Sequence, residues 1–342
     1  MKVAVYYNNR HIEIEERPIP EPGEGEILVQ TKACGVCVGD TMEWYLTPRA
    51  PLVLGHEATG IVARTGKGVK NFREGDRVVV HHHVPCLVCD NCLKGRYTSC
   101  ATFRSTHYNP GGFAEYFIAS AHHVAVDTLI LPDQLSFVEG TLVEPLACVI
   151  HALRLAAVKP EESVVLVGTG AMGLMFIQLL LHYGIRKLVV YEVLPWRQEI
   201  ARRLGAPVVL TPLEDPDKEA ERLQDLLSAE GADKVLVVAK DLSAINMGMR
   251  LAGRGGTVLL FATTHPEEKV DFYPSRIFFY EQTVLSSYSA DHLDTRAALE
   301  LLSQGVIDTR TIITHTFPLE RLSDAILHTQ GRKESLKCVI EL

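Results

Sequence analysis

The stretch VVLVGTGAMG, residues 164–173, decides the fold of the second half of the chain. An apolar strand runs directly into Gly168, Gly170 and Gly173, and an apolar segment of helical character follows. Glycine suits the tight turn, the close approach of backbone to a bound phosphate, and the packing of helix on strand. The amides that begin such a helix face a negative charge favourably. The stretch therefore predicts a strand, turn and helix that cradle a pyrophosphate.

A second apolar strand, KLVVYE, ends at Glu192, about 20 residues after the last of these glycines, where the acidic residue of such a site is expected. A carboxylate at this place accepts hydrogen bonds from ribose hydroxyls and repels a 2′-phosphate. The two strands together therefore predict a dinucleotide site that favours NAD over NADP. The alternative is a glycine turn with a surface glutamate. Arg197, slightly further along the chain, either covers the adenine or is solvated.

The alternation of apolar strands and helices continues through DKVLVVA and GTVLLFA, residues 233–239 and 256–262. This rhythm builds a doubly wound parallel sheet, so we expect an α/β fold with a Rossmann NAD-binding domain at residues 148–286. The segment before it consists of short β-branched stretches separated by Gly, Pro, Asn and Asp, which predicts a compact β-barrel. The last residues again contain short strands. We therefore expect residues 1–147 and 287–342 to form the other domain.

Length and charge narrow the class of protein. A chain of 342 residues exceeds one ordinary hydrophobic core, which agrees with two domains. Lys and Arg number 34 against 42 acidic residues, and this net charge of −8 argues against nucleic acid or anionic lipid as partners. No apolar run reaches the ~18 residues of a membrane span, and the start lacks a signal-peptide pattern. We expect a soluble, cytoplasmic protein.

The segment PCLVCDNCLKGRYTSC contains Cys86, Cys89, Cys92 and Cys100 in the spacing C-x2-C-x2-C-x7-C. Four thiolates on one short loop can close a tetrahedron around zinc, and such a site supports structure because no ligand position stays open. We therefore expect a structural zinc lobe at residues 84–101. An iron–sulfur cluster and buried, unligated cysteines are the alternatives.

A reactive zinc needs protein ligands and one exchangeable position. The candidate ligands are scattered: Cys37 in ACGVCVGD, His56 and Glu57 in LGHEATG, and Glu144 in LVEPLA. Zinc at such a site lowers the pKa of a bound hydroxyl, so that an alkoxide can expel hydride. Taken singly, these residues also suit a buried thiol, an ion-paired glutamate and a helix-start carboxylate.

In these motifs the chain resembles the zinc-containing medium-chain dehydrogenases from end to end, especially the sorbitol and polyol dehydrogenase branch, with threonine dehydrogenase as a near cousin. The stretches KACGVCVGD, PLVLGHEATGIV, FREGDRVV, GGFAEY and EPLA carry the resemblance, with the cysteine lobe and the glycine turn. It implies a GroES-like β-barrel catalytic domain that holds two zincs, one catalytic and one structural, and a Rossmann domain inserted before the final strands. It also implies a homotetramer or dimer formed through the cofactor domain.

The resemblance assigns roles residue by residue. Cys37 and His56 become zinc ligands, while Glu57 and Glu144 supply the third ligand, an alternating ligand or water-mediated neighbours. Asp40 matches a carboxylate that orients the imidazole of His56. Further cofactor contacts are implied at Met172, Phe261, Ala262 and Thr263.

The chain departs from the family at its proton relay. Members commonly read Cys-Gly-Ser/Thr-Asp-x-His, whereas this chain has Gly39 and Met42 at the hydroxyl and histidine positions. Neither residue can pass a proton, so the exit route and the substrate stay open. Substitutes are water or a nearby side chain: Thr41, Glu43, Tyr45, Glu57 or Glu144. Trp44 and Tyr45 either line a sugar pocket or pack on the barrel.

Other chemistry-bearing residues are expected to be structural. We interpret the run His81-His82-His83 as an ordinary strand end, and Cys34, Cys148 and Cys338 as packing residues.

The sequence thus predicts a zinc-dependent oxidoreductase that transfers hydride between a secondary alcohol of a polyol, sugar or cyclitol and NAD. One alternative acts on L-threonine or a simple alcohol. Another is a catalytically inactive zinc- and nucleotide-binding protein, and a nucleic-acid reader built on the cysteine lobe is disfavoured by the acidic balance. The motifs do not name the substrate, because specificity lies in pocket shape.

Overall fold

A computed structural model describes residues 1–331 and 334–342 of the chain. It divides into two units, Met1–Ala147 with Ser289–Leu342, and Cys148–Tyr288. The return to the first unit falls slightly later than the expected residue 287, because the short segment after the last parallel strand stays with the second unit.

The first unit begins with eight strands and five short helices. The strands are β1 (Lys2–Asn8), β2 (His11–Glu16), β3 (Ile27–Val36), β4 (Leu52–Val53), β5 (Glu57–Thr65), β6 (Arg77–His81), β7 (Tyr116–Ala119) and β8 (Thr128–Ile130). The helices are α1 (Glu43–Leu46), α2 (Asp90–Leu93), α3 (Ala101–Ser105), α4 (Ala121–Val126) and α5 (Phe137–Gly140), and a longer helix, α6 (Val143–Ala156), begins in this unit.

The second unit is a six-stranded parallel sheet with the strand order β11-β10-β9-β12-β13-β14. Its strands are β9 (Ser163–Val167), β10 (Lys187–Tyr191), β11 (Val208–Leu210), β12 (Ala232–Val237), β13 (Ala252–Leu260) and β14 (Thr283–Ser286). Its helices are α7 (Ala171–His182), α8 (Pro195–Arg203), α9 (Pro216–Leu227), α10 (Leu242–Leu251) and α11 (Pro274–Tyr280). The first strand in sequence, β9, lies inside the sheet and is buried throughout, which explains its unbroken apolar sequence. The order reverses between β9 and β12, so the glycine turn after β9 lies at the switch point where such sheets bind ligands.

The chain then returns to the first unit through α12 (His292–Ser303), α13 (Thr309–Ile312), β15 (Ile313–Pro318), α14 (Leu322–Gln330) and β16 (Lys337–Glu341). The larger sheet of this unit has the order β15-β16-β3-β5-β6-β8, with β7 paired to β3, and a smaller sheet has the order β2-β1-β4. Strand β3 is central: it pairs with β16, β5 and β7, and its last four residues are buried. The motif ACGVC is therefore flanked by one strand from the first part of the chain and one from its last residues.

Burial of apolar side chains holds this barrel together. A core cluster joins strands from both sequence segments, among them Val29, Val36, Val62, Val80, Phe117 and Ile340. Each such side chain contributes about 1.5–3 kcal/mol when it is fully buried. Within residues 1–331 and 334–342, none of the helices combines the length and apolar character needed to cross a bilayer.

Candidate functional site

The four cysteines of the lobe converge, although no disulfide joins any of the chain's eight cysteines, all of which lie in its described part. Their sulfur atoms all lie within 4.8 Å of one another, with Cys89 Sγ 3.6 Å and Cys86 Sγ 3.9 Å from Cys92 Sγ. The peptide N–H groups of Cys86 and Cys89 donate to sulfur atoms of the same set. Four sulfurs at this spacing match the closed set that a structural zinc requires.

Backbone amides favour the thiolate form of two of the four cysteines, Cys86 and Cys100. Burial opposes ionisation of Cys100, but hydrogen bonds from the peptide N–H groups of Cys86 and Phe103 and from the thiols of Cys86 and Cys89 together outweigh burial and lower the pKa of the Cys100 thiol to about 6. Phe103 and Tyr97 pack against the cysteines and form a small apolar cluster around them. Nitrogen–hydrogen donors aimed at sulfur stabilise the charged ligand form, so the lobe suits a cation.

A second cluster forms in the barrel from residues that are dispersed in the sequence. Cys37 follows β3 and caps a 3-10 helix, Val38–Thr41, while His56 and Glu57 stand at the start of β5. One potential ligand atom from each of Cys37, His56 and Glu57 lies within 4.8 Å of the others. The peptide N–H of Gly39 donates to Cys37 Sγ over 3.3 Å. The three ligand candidates offer a thiol, an imidazole and a carboxyl, a mixed set that suits zinc with an open position.

Asp40 contacts two residues of this cluster, Cys37 and His56. Its Oδ2 accepts a hydrogen bond of 2.9 Å from the peptide N–H of Cys37, and its Oδ1 lies 3.6 Å from His56 Nδ1. Burial opposes a charge on His56 more than any single neighbour favours it, but Asp40, Cys37 and Glu144 together outweigh burial and raise the pKa of His56 well above its usual value. A buried acid beside a ring nitrogen orients the imidazole, as is usual behind metal-binding histidines.

Glu57 is held by Lys337, a residue that no sequence pattern singled out. The Lys337 Nζ lies 2.5 Å from both carboxylate oxygens of Glu57, and both residues are buried, at 5% and 1% exposure. Burial disfavours the ammonium, yet the surrounding negative groups, with Glu57 first among them, together outweigh burial and raise the pKa of Lys337. Burial also raises the pKa of the Glu57 carboxyl, although Lys337 opposes that shift. The pair therefore neutralises an acid that would otherwise be isolated in the core.

Gly35 explains how this ion pair crosses the sheet. In the register, Gly35 of β3 lies between Glu57 of β5 and Val339 of β16. A Cβ at Gly35 would stand 1.9 Å from Glu57 Oε2 and 3.1 Å from Lys337 Cε. The motif ACGVC thus needs glycine because the carboxylate and the lysine stem occupy the space of a side chain.

Glu144 lies in the first turn of α6 and is buried. Its carboxylate falls in a different group, with ring nitrogens of His81 and His82 within 4.8 Å. Glu57 is therefore the carboxylate that the structure brings within 4.8 Å of both Cys37 and His56. Glu144 adjoins this cluster, because it lines the same small cavity as Glu57.

Two candidate substitutes for the proton relay have structural partners. The Thr41 hydroxyl donates to the carbonyl of Val38 over 2.8 Å, and Glu43 accepts from the peptide N–H of Asn9 over 3.0 Å. Two further side chains near the relay positions, Trp44 and Tyr45, are exposed and meet edge to face, with the guanidinium of Arg49 over the Tyr45 ring.

Space alone does not explain the missing hydroxyl at Gly39. A Cβ on Gly39 would make ordinary contacts of 3.5 Å with Cys37 Sγ and 3.7 Å with Met42 Cε. A small side chain therefore fits at this relay position.

The glycine turn after β9 has the geometry of a phosphate cradle. Gly168 has φ +98°, a region that favours glycine, and Gly170 is the N-cap of α7. A Cβ on Gly173 would stand 2.1 Å from the carbonyl oxygen of Gly168, so only glycine lets the helix approach the strand. The amides that begin α7 are thus presented to an anion.

Glu192 follows β10 and contacts this turn directly. One carboxylate oxygen accepts from the peptide N–H and hydroxyl of Thr169, at 2.9 and 2.8 Å. The other accepts from the peptide N–H groups of Val193 and Leu194, at 2.8 and 2.9 Å. Four donors fill the acceptor capacity of a carboxylate, so a ribose hydroxyl would have to share or replace one of them.

The remaining cofactor candidates lie around the same turn. The Arg197 guanidinium lies over the ring of Trp196. It is also close to the glycine turn, since a Cβ added to Gly170 would stand 3.8 Å from Arg197 Nη1. Met172 is half-buried in the first turn of α7. Phe261, Ala262 and Thr263 follow the carboxyl end of β13, where Phe261 meets Phe176 edge to face and Thr263 is exposed. Because parallel strands end at one edge, these residues share the edge of the glycine turn.

The three cysteines outside both clusters differ in burial. Cys34 and Cys338 are fully buried, and burial raises the pKa of the Cys34 thiol well above its usual value. Cys148 is half-buried in α6.

Comparisons with known proteins agree with this arrangement. Residues 23–131 match the alcohol dehydrogenase GroES-like domain, and residues 171–304 match the zinc-binding dehydrogenase family. Sorbitol dehydrogenase of Gallus gallus is 31% identical, with 98% of this chain and 96% of that protein covered. A protein of Sinorhizobium meliloti 1021, solved with NADP bound, is 27% identical with a TM-score of 0.87, covering 100% of this chain and 99% of that one. An alcohol dehydrogenase of Escherichia coli CFT073, solved with NADH, is 25% identical with a TM-score of 0.89 and the same coverage.

Proposed function

This chain belongs to the zinc-binding alcohol dehydrogenase family, and on that premise we propose that it oxidises a secondary alcohol of a polyol, sugar or cyclitol to a ketone, with NAD as the hydride acceptor. The observation that carries the proposal is the convergence of Cys37, His56 and Glu57 in the same barrel as a separate four-cysteine lobe. One cluster is of mixed chemistry and partly open, and the other is all sulfur. This division is expected of one reactive and one structural zinc in each chain.

Residues of the barrel have different roles at the reactive site: some bind the zinc and others position its ligands. Cys37, His56 and Glu57 bind the zinc, Asp40 orients His56, and Lys337 holds the Glu57 carboxylate beside the other two ligands. When bound, zinc supplies the Lewis acidity that lowers the pKa of an alcohol hydroxyl. We place Glu144 outside this set of direct ligands. Its carboxylate lies within 4.8 Å of ring nitrogens of His81 and His82, but it is not within that distance of all three ligand atoms of Cys37, His56 and Glu57.

Two residues near the glycine turn, Glu192 and Arg197, have opposite effects on the choice between NAD and NADP. Glu192 favours the ribose hydroxyls of NAD, whereas a nearby arginine such as Arg197 can accommodate the 2′-phosphate of NADP. The buried position of Glu192 against Thr169 supports NAD, because a phosphate would meet a carboxylate that the loop holds in place. The Sinorhizobium meliloti protein, which is 27% identical, was solved with NADP bound. The quantity to measure is therefore the ratio of kcat/KM with NAD to kcat/KM with NADP.

Substrate class is supported by likeness to sorbitol dehydrogenase and by the exposed rings of Trp44 and Tyr45, which suit the face of a sugar or polyol. The second candidate is a zinc- and nucleotide-binding protein without catalysis. Gly39 and Met42 favour it, because no hydroxyl or imidazole stands at the relay positions.

We further propose a homodimer formed through the second unit, as half of a tetramer or alone. The edge strand β14 has no partner on one side within the described sheet, and Phe278 and Phe279 of α11 are 76% and 70% exposed. An open strand edge beside exposed aromatic rings suits a second copy of the chain. We place the protein in the cytoplasm, because four cysteines without disulfides persist as zinc ligands in a reducing compartment.

A substrate panel tests the proposal. Formation of NADH and NADPH should be followed with polyols, sugars, cyclitols, simple alcohols and L-threonine, with zinc content measured in the same sample. We expect turnover of a secondary polyol alcohol with kcat/KM at least about tenfold higher for NAD, a difference of about 1.4 kcal/mol. Preference for L-threonine would replace the substrate class, and NAD binding without turnover on any alcohol would support the second candidate.

A further inference from the structure

The carboxylate of Glu192 is fully hydrogen-bonded within the second unit. Its Oε2 accepts from the peptide N–H and the hydroxyl of Thr169, and its Oε1 accepts from the peptide N–H groups of Val193 and Leu194. Among the described residues these four groups are its only donors, and they match the roughly four lone-pair sites of a carboxylate. A ribose hydroxyl that binds to Glu192 must therefore take the place of one of them.

Glu192 cannot turn away from these donors, because its backbone is fixed on both sides. Its peptide N–H donates to the carbonyl of Leu210 over 3.0 Å, and its carbonyl accepts from Gln198 Nε2 over 2.7 Å. The same nitrogen of Gln198 also donates to the Thr211 hydroxyl over 2.8 Å, and Glu192 itself is buried. Binding of a cofactor should therefore change the donors around the carboxylate and leave the carboxylate in place.

Three of the four donors are peptide N–H groups, which cannot withdraw without a shift of the backbone. The N–H of Thr169 belongs to the tight turn between Gly168, at φ +98°, and Gly170, the N-cap of α7. The N–H groups of Val193 and Leu194 belong to the segment that leads into α8, of which Leu194 is the N-cap. The Thr169 hydroxyl, in contrast, turns about one side-chain bond. It is the donor that a ribose hydroxyl can replace most easily.

The Thr169 hydroxyl loses a strong interaction when it is replaced. Thr169 is fully buried, and within the described part of the chain its hydroxyl makes one hydrogen bond, the bond of 2.8 Å to Glu192 Oε2. A hydrogen bond to a carboxylate is stronger than one between neutral groups. Loss of this bond offsets part of what the chain gains when it binds the ribose.

We propose that the Thr169 hydroxyl competes with a ribose hydroxyl of NAD for Glu192 Oε2 and thereby lowers the affinity for NAD. The proposal rests on the proposed NAD site, and Thr169 is a positioning residue that acts through Glu192. In NADP a phosphate replaces the 2′-hydroxyl and donates no hydrogen bond there. Removal of the Thr169 hydroxyl should therefore favour NAD more than NADP, so the threonine limits the preference of the chain for NAD.

Cofactor affinity of the zinc-loaded, full-length protein tests this role in the absence of any alcohol. The fluorescence of the reduced nicotinamide gives the Kd of NADH and of NADPH for native protein, Thr169→Val and Thr169→Ser. Valine replaces the hydroxyl by a methyl group, whereas serine keeps the hydroxyl. We expect Thr169→Val to bind NADH about two- to tenfold more tightly and NADPH within about twofold of native protein. Thr169→Ser is the matched control and should bind both cofactors as native protein does.

Two further variants keep the test independent of how valine fits the turn. Thr169→Ala removes the hydroxyl without adding a methyl group in its place, and it should also bind NADH more tightly. In a Glu192→Ala background, Thr169→Val should change the Kd of NADH by less than about twofold, because no carboxylate is left to release. Thermal unfolding checks the fold of each variant, and NADH should raise the Tm of Thr169→Val more than that of native protein.

Weaker or unchanged NADH binding in both Thr169→Val and Thr169→Ala would overturn the proposal, because the hydroxyl would then not compete with the cofactor. Equal tightening for NADH and NADPH would also overturn it, as would tightening that persists in the Glu192→Ala background. Native protein that does not bind NADH would overturn the NAD site itself and this role with it. Native protein that binds NADH, in contrast, leaves the NAD site intact even when the variants overturn the role of Thr169.

Discussion

The two sulfur-containing clusters of the barrel are built in opposite ways. The lobe takes its four candidate ligands from one short stretch, Cys86–Cys100, and backbone amides of the same stretch donate to two of the sulfurs. The Cys37 cluster takes ligands from two motifs and is held by Asp40 and by Lys337, which comes from the last strand of the chain. A closed site can be encoded locally because it only has to fold. An open site needs support from several strands, since its free position leaves the ligands less constrained.

The largest expected effect comes from breaking the closed cluster. Cys92→Ser should abolish zinc at the lobe and lower Tm more than any other change considered, because structural zinc binding, worth about 10–16 kcal/mol in isolated peptides, is coupled to folding. Thermal unfolding and zinc content measure both consequences. Cys148→Ser, outside the lobe, is the control; an equal fall in Tm there would show that the lobe has no special role.

The two clusters should lose their zinc at different rates when a chelator is added. A chelator should extract the zinc of the Cys37 cluster first, with loss of turnover and little change in Tm, because three ligands and an open position release metal more readily than four thiolates. The lobe zinc should leave later, together with unfolding. Activity, zinc content and circular dichroism followed in one time course check this order, and simultaneous loss of both zincs would contradict it.

A smaller effect should follow from breaking the support of the open cluster. In protein from which a chelator has extracted the zinc of the Cys37 cluster, Lys337→Met should lower the free energy of unfolding by about 3–5 kcal/mol, because the buried Glu57 carboxylate then has neither zinc nor lysine as a partner. The double variant Glu57→Gln/Lys337→Met should recover part of that loss. Denaturant unfolding of both single variants and the double variant gives the coupling, and additive effects would mean that the pair does not stabilise the site.

Some of the residues in these predictions can be identified from the sequence alone, whereas others can be identified only from the structure. The sequence alone predicted the glycine turn and the cysteine lobe, because the residues of each are close together in the chain. In the structure Gly173 packs against Gly168, and the four sulfurs lie within 4.8 Å of one another. The family motifs supplied Cys37, His56 and Asp40. Lys337 was missed because KCVIEL does not distinguish a buried lysine from a solvated one, and only the pairing of β16 with β3 brings it to Glu57.

Gly35 shows the same limit. The sequence marks a glycine in ACGVC, but its reason is an ion pair between two neighbouring strands. Local patterns therefore predict local sites, while contacts across a sheet require its register.

The smallest expected effect concerns the missing relay. Gly39→Ser fits the available space and restores a hydroxyl, but Met42 still cannot pass a proton. We expect kcat to rise less than about tenfold, well short of the ~10²–10⁴ that a complete acid–base relay contributes. Gly39→Ala adds the same Cβ without the hydroxyl and should leave kcat unchanged; an equal gain in both variants would assign the effect to packing.

The central claim, one reactive and one structural zinc in separate clusters, is tested most directly by measuring zinc and turnover together in native protein and Cys37→Ser. Both samples should be purified identically and compared by circular dichroism. The account predicts that Cys37→Ser loses one zinc and all detectable NADH formation while its fold and its lobe zinc remain. Retention of turnover, or of every zinc found in the native chain, would contradict it.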